Sequence, residues 1–329
     1  MINVEKGYVD APIPEGTDLR SEILRLKREK NAVIMAHYYQ RPEIQDIADE
    51  IGDSLALAQM AARSDASIIV LCGVHFMGET AKILCPDKKV IVPDMNAGCS
   101  LADSCPAHDF AKYVGEHPGY TVISYVNTSA AVKAYTDIVV TSSNAKQIVD
   151  SLPAGEKIIF GPDRNLGNYI NSVTGRDMLL WDGACHVHEQ FSIAKILELK
   201  KQHGDAQVLV HPECRKPVQM VADKVGSTQA LLNYAVASDC QTFIVATESG
   251  ILHEMQKRCP QKTFIPAPPE DGKCSCNECA YMKMVTLEKL YNSLRYELPE
   301  ITVDEAVAEK AVKPIRRMLD ISRNLGLIK

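Results

Sequence analysis

The sequence predicts an α/β protein made of three similar units, each a three-layer αβα arrangement with a mostly parallel sheet, gathered around a shared centre. Three observations carry this. Short β-branched runs alternate with stretches of helical spacing, the runs are apolar at nearly every residue, and a set of polar residues recurs at fixed offsets in three blocks. Alternation of this kind fits strands separated by crossover helices. Uninterrupted apolar runs fit strands buried on both faces, as in parallel sheets covered by helices. Recurrence at a fixed period marks a repeat architecture.

The elements follow in order. A helical lead-in, "LRSEILRLKREK", precedes the strand "AVIMAH", and "SIIVLCG" and "KVIVPD" complete the first block. "DFAKYV" leads into "TVISYV", and the second block continues as strand, helix, strand through "KIIFGPDRNLGNYINSVTGRDMLLWDGAC". "FSIAKILELKKQ" leads into "QVLVHP", "TFIVAT" and "KTFIPA" of the third. The Pro-rich "IPAPPEDGKC" reads as a loop before the final helices. The expected division is residues 19–102, 103–189 and 190–279 for the three repeats, with 280–329 as C-terminal helices packing back on the core.

The repeat is visible in spacing. The first strand of each block ends at His37, Tyr125 and His211, 88 and 86 residues apart. Two positions later stand Tyr39, Asn127 and Glu213, and seventeen positions after each strand end stand Ser54, Ser142 and Thr228. Every block finishes on cysteine: Cys99, Cys185, and one of Cys274, Cys276 and Cys279. In parallel α/β sheets ligands bind outside the carboxyl ends of strands. His37, Tyr39, Tyr125, Asn127, His211 and Glu213 fall there, while Ser54, Ser142 and Thr228 fall where helix N-termini offer free N–H groups to an anion. Taken singly, a Ser or Thr before a helix is ordinarily an N-cap, and a strand-end His ordinarily a packed or surface residue. Recurrence in register across three blocks argues for a functional centre.

One cysteine per unit gives three ligands. Structural zinc takes four, and an iron–sulfur cube normally takes four thiolates. Three thiolates on a [4Fe–4S] cube leave one iron open to act as a Lewis acid, which suits condensation or dehydration. Cys72 and Cys240 read as core thiols; Cys85, Cys105 and Cys259 lie near Pro in loops or helix ends; Cys214 stands beside the expected site.

Composition excludes other classes. The 329 residues are 46% apolar, ample for several cores, and a net charge of −6 with interspersed signs leaves no basic face for nucleic acid. The first residues show no charged-then-apolar export pattern, and no apolar run approaches the roughly 20 residues of a membrane span. With eleven cysteines, an odd number, the expectation is a reducing cytoplasm. No G-x-G-x-x-G follows a strand and no G-x-x-x-x-G-K-[ST] occurs, so no dinucleotide or nucleoside triphosphate site is implied.

The motifs "AHYYQRPEIQDIADEIGDSLALA", "GETAKILCPDKKVIVPD", "YVNTSAAVKAYTDIVVTSSNA", "FGPDRNLGNYI", "CHVHEQF", "VHPEC" and "CAYMKMVTLEKLY" together resemble the quinolinate synthase family, the A protein of de novo NAD (pyridine nucleotide) biosynthesis, from about residue 19 to the C-terminal helices. The resemblance implies a transferase-class enzyme that condenses iminoaspartate with dihydroxyacetone phosphate to quinolinate, phosphate and water. It implies three α/β domains in pseudo-threefold array around one [4Fe–4S] cluster, and coupling to the enzyme that produces iminoaspartate. By motif the cluster ligands fall on Cys99, Cys185 and Cys279. Substrate contacts fall on His37, Ser54, Tyr125, Asn127, Ser142, His188, His211 and Thr228. Tyr39 and Glu213 become the acid/base pair, with His211 beside them, and Tyr39 would then need a depressed pKa. Lys283 is a candidate to point inward. The chain departs from the simplest family pattern, a lone cysteine, by reading Cys-x-Cys-x-x-Cys, so Cys274 and Cys276 are extra thiols whose role, redox or none, is open. The readings set against this one are a cluster-based redox sensor and another cluster-dependent hydro-lyase.

Overall fold

The computed structural model describes residues 3–271 and 277–328. Within them the apolar runs form three separate four-stranded sheets. The first contains β1 (Ala32–His37), β2 (Glu50–Gly52), β3 (Ile68–Cys72) and β4 (Lys89–Ile91). The second contains β5 (Thr121–Tyr125), β6 (Ile138–Val140), β7 (Ile158–Gly161) and β8 (Leu179–Leu180). The third contains β9 (Gln207–Val210), β10 (Lys224–Val225), β11 (Thr242–Ala246) and β12 (Thr263–Pro266). All pairings are parallel, and each sheet has one spatial order: second strand, first, third, fourth. That order reverses direction between the first and third strands, which opens a crevice at their carboxyl ends.

The central strands are buried on both faces, as the unbroken apolar runs require: every residue of β3 and of β7 is buried. The second strands are too short for periodicity to reveal, and a side chain defines each of them. Asp49, Asp137 and Asp223 accept the backbone N–H of Ile34, Val122 and Val208 at 2.9, 2.8 and 2.8 Å. These aspartates repeat at the same 88 and 86 residues as the strand ends. Partly exposed bonds of this kind are worth roughly 1 kcal/mol each.

Helices start where side chains can satisfy their first N–H groups. Asp18, Asp53, Asp163, Ser192, Ser227, Thr286 and Asp304 each accept from a backbone N–H of the first turn. The helix Leu287–Tyr296 packs on the lead-in helix Leu19–Glu29 of the first unit, while Glu305–Asn324 spans His75–Leu84 of the first unit and Ala130–Lys133 and β6 of the second. At the centre Ser143 ties the units together, its hydroxyl 2.5 Å from Asp53 Oδ2 and 2.8 Å from Ser227 Oγ. Among the described residues no helix is long and apolar enough to cross a membrane.

Candidate active site

The first strands of the three sheets stop facing one another. β1 ends at His37, β5 at Tyr125, and β9 at Val210 just before His211. In two of the three turns the strand-end imidazole holds the chain: His37 Nδ1 accepts the Tyr39 N–H at 3.1 Å, and His211 Nδ1 accepts the Glu213 N–H at 3.3 Å. This fixes both rings with Nε2 as the protonated nitrogen, directed away from the turn. The turn of the second unit closes on its backbone, the Thr128 N–H donating to Val126 O at 2.8 Å.

The turns surround a cavity of about 710 Å³, counting its open mouth. Every site residue expected from the sequence lines it: His37, Tyr39, Ser54, Cys99, Tyr125, Asn127, Ser142, Cys185, His188, His211, Glu213, Thr228 and Cys279. Cys274 and Cys276 lie outside the described residues. Cys214 is fully buried behind Glu213, its thiol 3.4 Å from Ala246 O. Cys240, expected in the core, is only half-buried, because it sits in the loop before β11.

The cavity walls are joined across units. Tyr125 donates to Glu213 Oε1 at 2.6 Å, the Tyr39 hydroxyl lies 2.7 Å from both Thr228 Oγ1 and Thr247 Oγ1, and His211 Nε2 is 3.3 Å from Ser142 Oγ. His188 is the hub of one wall. Its Nδ1 is 3.2 Å from Glu213 Oε2 and 3.2 Å from Cys185 Sγ, its Nε2 is 3.0 Å from Thr247 Oγ1, and its ring stacks on His211 at 4.7 Å.

Burial acts on all these groups, and their neighbours decide the result. Burial alone would raise the Glu213 carboxyl, but the pull and hydrogen bond of His188, with the hydrogen bond from Tyr125, outweigh it and hold Glu213 below the usual carboxylate range. His37 and His211 are pushed down to about 3 by burial and stand neutral. Tyr39 corrects an expectation. Burial pushes its phenol well above the ordinary value, and the two threonine hydroxyls offset only part of this, so it is a protonated donor, not a depressed phenol.

Ser54 and Thr228 are the first residues of their helices, capped by Asp53 and Ser227, so their N–H groups face the cavity end as expected. Ser142 differs. Asn144 Oδ1 accepts the Thr141 N–H at 2.7 Å and winds an extra turn, so the helix begins only at Ala145 and Ser142 presents a hydroxyl from a loop. The Asn127 side-chain oxygen is buried without a partner, an acceptor left for a ligand.

Cys99, Cys185 and Cys279 are unpaired. Burial pushes the Cys99 thiol up to about 12, Cys185 well above its ordinary value and Cys279 upward. Such thiols become thiolates only beside a strong positive charge, which a bound metal supplies. Soft sulfur from three units fits an iron–sulfur group. Among the described residues, Cys185, His188 and Glu213 have ligand atoms that all lie within 4.8 Å of one another.

Sequence reasoning missed Thr247 and Glu248. Glu248 is buried and accepts from Cys279 N at 3.1 Å and Gly250 N at 2.7 Å, with Lys283 Nζ 2.9 Å away. Lys283 does point inward, also donating to Tyr39 O at 2.7 Å. Gly250 lets this loop pass against Tyr39: a Cβ there would lie 2.8 Å from its Cα. By strand register Thr247 and Glu248 stand where the other units carry Gly73–Val74 and Pro162–Asp163, so the signal was a carboxylate shared by only two of the three units.

The sequence model of the quinolinate synthetase A protein family matches residues 21–320. The chain is 58% identical to quinolinate synthase of Thermosynechococcus vestitus over 311 residues, 94% of this chain and 97% of that one. It is 58% identical to the Microcystis aeruginosa protein of the same name over 93% of this chain and 95% of the relative. With the quinolinate synthase of Chloroherpeton thalassium it shares 55% over the same proportions.

Proposed function

The chain belongs to the quinolinate synthetase A protein family, and from that premise we propose that it condenses iminoaspartate with dihydroxyacetone phosphate, giving quinolinate, phosphate and water. In this reading Cys99, Cys185 and Cys279 hold one [4Fe–4S] cluster. The observation that carries it is one cysteine from each unit facing a cavity that also holds an ionised carboxylate and a protonated phenol. The repeats 19–102, 103–189 and 190–279 with the 280–329 tail, a cytoplasmic setting and supply from an iminoaspartate-producing enzyme belong to the same reading.

Both substrates are anions in a net-negative protein, so binding must be local. The N–H groups at Ser54 and Thr228 receive carboxylate or phosphate oxygens. His37 and His211 add neutral Nε2–H donors, and the Asn127 oxygen accepts from an imine or amine nitrogen. Glu213, ionised and oriented by Tyr125 and His188, takes a proton alpha to a carbonyl during enolisation and ring closure. Tyr39, protonated, gives one to a departing or developing oxygen. The cluster, when bound, supplies an iron free of protein ligands that acts as a Lewis acid. Exclusion of bulk water by the buried walls strengthens each of these contacts.

Anaerobic reconstitution of single Ala variants tests the reading. Wild type is expected to carry about four irons per chain and to form quinolinate. Cys99→Ala, Cys185→Ala and Cys279→Ala are each expected to lose both, and Cys274→Ala neither. A colourless protein with one zinc, lost on His188→Ala, would put a single ion on Cys185, His188 and Glu213 and remove the cluster.

A further inference from the structure

Each strand-end turn is pinned from behind by one long side chain. In the first unit Gln45 Nε2 donates to Tyr38 O at 3.0 Å and Gln40 O at 2.9 Å. In the third, Gln219 Nε2 donates to Pro212 O at 2.8 Å and Cys214 O at 2.7 Å. In the second, Lys133 Nζ donates to Val126 O at 2.9 Å and to Thr128 O. Each pair of carbonyls brackets one cavity residue: Tyr39, Glu213 and Asn127 respectively.

The three donors sit at the last position of equivalent short helices, Pro42–Gln45, Ala130–Lys133 and Lys216–Gln219, and share the 88 and 86 residue spacing of the strand ends. Lys133 is fully buried, with its ammonium 5.5 Å from the centre of the Phe76 ring. A buried turn carbonyl left without a donor moves to find one, and a displacement of about 1 Å at a reacting group can cost 10²-fold in rate.

We propose that Gln45, Lys133 and Gln219 are a threefold set of positioning residues that hold Tyr39, Asn127 and Glu213 in the cavity. The second unit uses lysine where a neutral donor of similar reach serves the other two. None of the three lines the cavity; they act through the turn. The inference rests on the proposed condensation only for its kinetic readout.

The test compares Lys133→Met, which removes the donor, with Lys133→Gln, which installs the residue found in the other units, both in the cluster-replete full chain. Lys133→Met should speed amide hydrogen exchange at Thr128 and leave the turns at Gln40 and Cys214 as in wild type. It should lower the kcat of quinolinate formation by roughly 10²-fold at unchanged iron content. Lys133→Gln should restore exchange protection and most of the rate. Combined with Asn127→Ala, Lys133→Met should add little further loss, since both act on one contact. Wild-type exchange and rate in Lys133→Met would overturn the proposal, as would equal damage from the two substitutions or fully additive losses with Asn127→Ala. If Lys133→Met does not fold, Gln219→Leu against wild type puts the same question to the Glu213 turn, where the donor is half-exposed. A wild-type enzyme that makes no quinolinate would sink the proposed reaction while the exchange experiment still judged the clamp.

Discussion

The turns after β1 and β9 share one frame. In each, a strand-end histidine accepts the N–H two residues on, a glutamine braces the carbonyls from behind, and the side chain between enters the cavity. Both histidines are buried and neutral. Yet Tyr39 ends as a protonated phenol and Glu213 as an ionised carboxylate. Burial acts in the same direction on both acids, raising each. Tyr39 meets only the hydroxyls of Thr228 and Thr247, whereas Glu213 meets His188 and Tyr125. Protonation is set by what the neighbouring unit brings to the turn, not by the turn. Threefold architecture thus gives a protonated phenol and an ionised carboxylate from one backbone design.

Removing the charge at Glu213 should have the largest effect. Glu213→Gln keeps the shape but leaves no base and no charged partner for His188, so kcat should fall by roughly 10³-fold or more, with cluster absorbance and iron content retained. Near-normal turnover would end the assignment of a base to this turn. Tyr39→Phe deletes one donor and should cost roughly 10²-fold. Because Tyr39 is a high-pKa acid, the variant should also keep the acidic limb of the pH–rate profile. Should Tyr39→Phe shift that limb and Glu213→Gln leave it in place, the two roles would be exchanged.

Much of this contrast could be read in the sequence, and the reasons are particular. The 88 and 86 residue spacing marks His37, Tyr39, Glu213 and the rest because a function gathered from three repeats puts polar residues at equivalent strand ends. The same spacing also contains Gln45, Lys133 and Gln219, but a lysine between two glutamines does not look like one role until the shared carbonyl partners are seen. The second strands leave no periodic signal because β2, β6 and β10 are only two or three residues long. Protonation states are not legible in sequence: an acid/base role would need a depressed Tyr39, and burial of its hydroxyl between two threonines raises it instead. The repeat spacing puts Ser142 at a helix start like Ser54, which the Asn144 turn overrides.

The shared part of the frame makes a smaller, pH-dependent prediction. His37 and His211 have folded pKa values of about 3 against an ordinary 6.5. A depressed value means that the stability from keeping these rings neutral is fully present above pH 6.5 and is lost as pH falls from there toward 3. Each ring should contribute a slope of up to about 1.4 kcal/mol per pH unit inside that window. Urea titrations of the cluster-free protein between pH 7.5 and 5 would measure it, and His37→Asn should flatten the curve by one ring's share. A pH-independent midpoint would mean that the rings are open to water.

The smallest effects should come from the hydroxyls at the helix starts, and they test whether the first and third units differ only in their turns. Ser54 and Thr228 occupy equivalent helix positions, but only the Thr228 hydroxyl touches the proposed acid, at 2.7 Å from Tyr39. Loss of one hydrogen bond to an anion is worth about 1.5 kcal/mol or more, or roughly tenfold in affinity. Ser54→Ala should therefore raise KM by roughly that factor with kcat unchanged, the signature of lost uniform binding. Ser142→Ala should do the same, since His211 Nε2 loses only a distant neighbour at 3.3 Å. Thr228→Ala should raise KM and also lower kcat several-fold, because Tyr39 keeps Thr247 but loses one of its two partners. Thr228→Val, which preserves shape without the hydroxyl, should match Thr228→Ala in kcat. If Thr228→Ala instead behaved like Ser54→Ala, Tyr39 would be oriented by Thr247 alone, and the acid would depend on the strand-end loop of β11 and not on the helix.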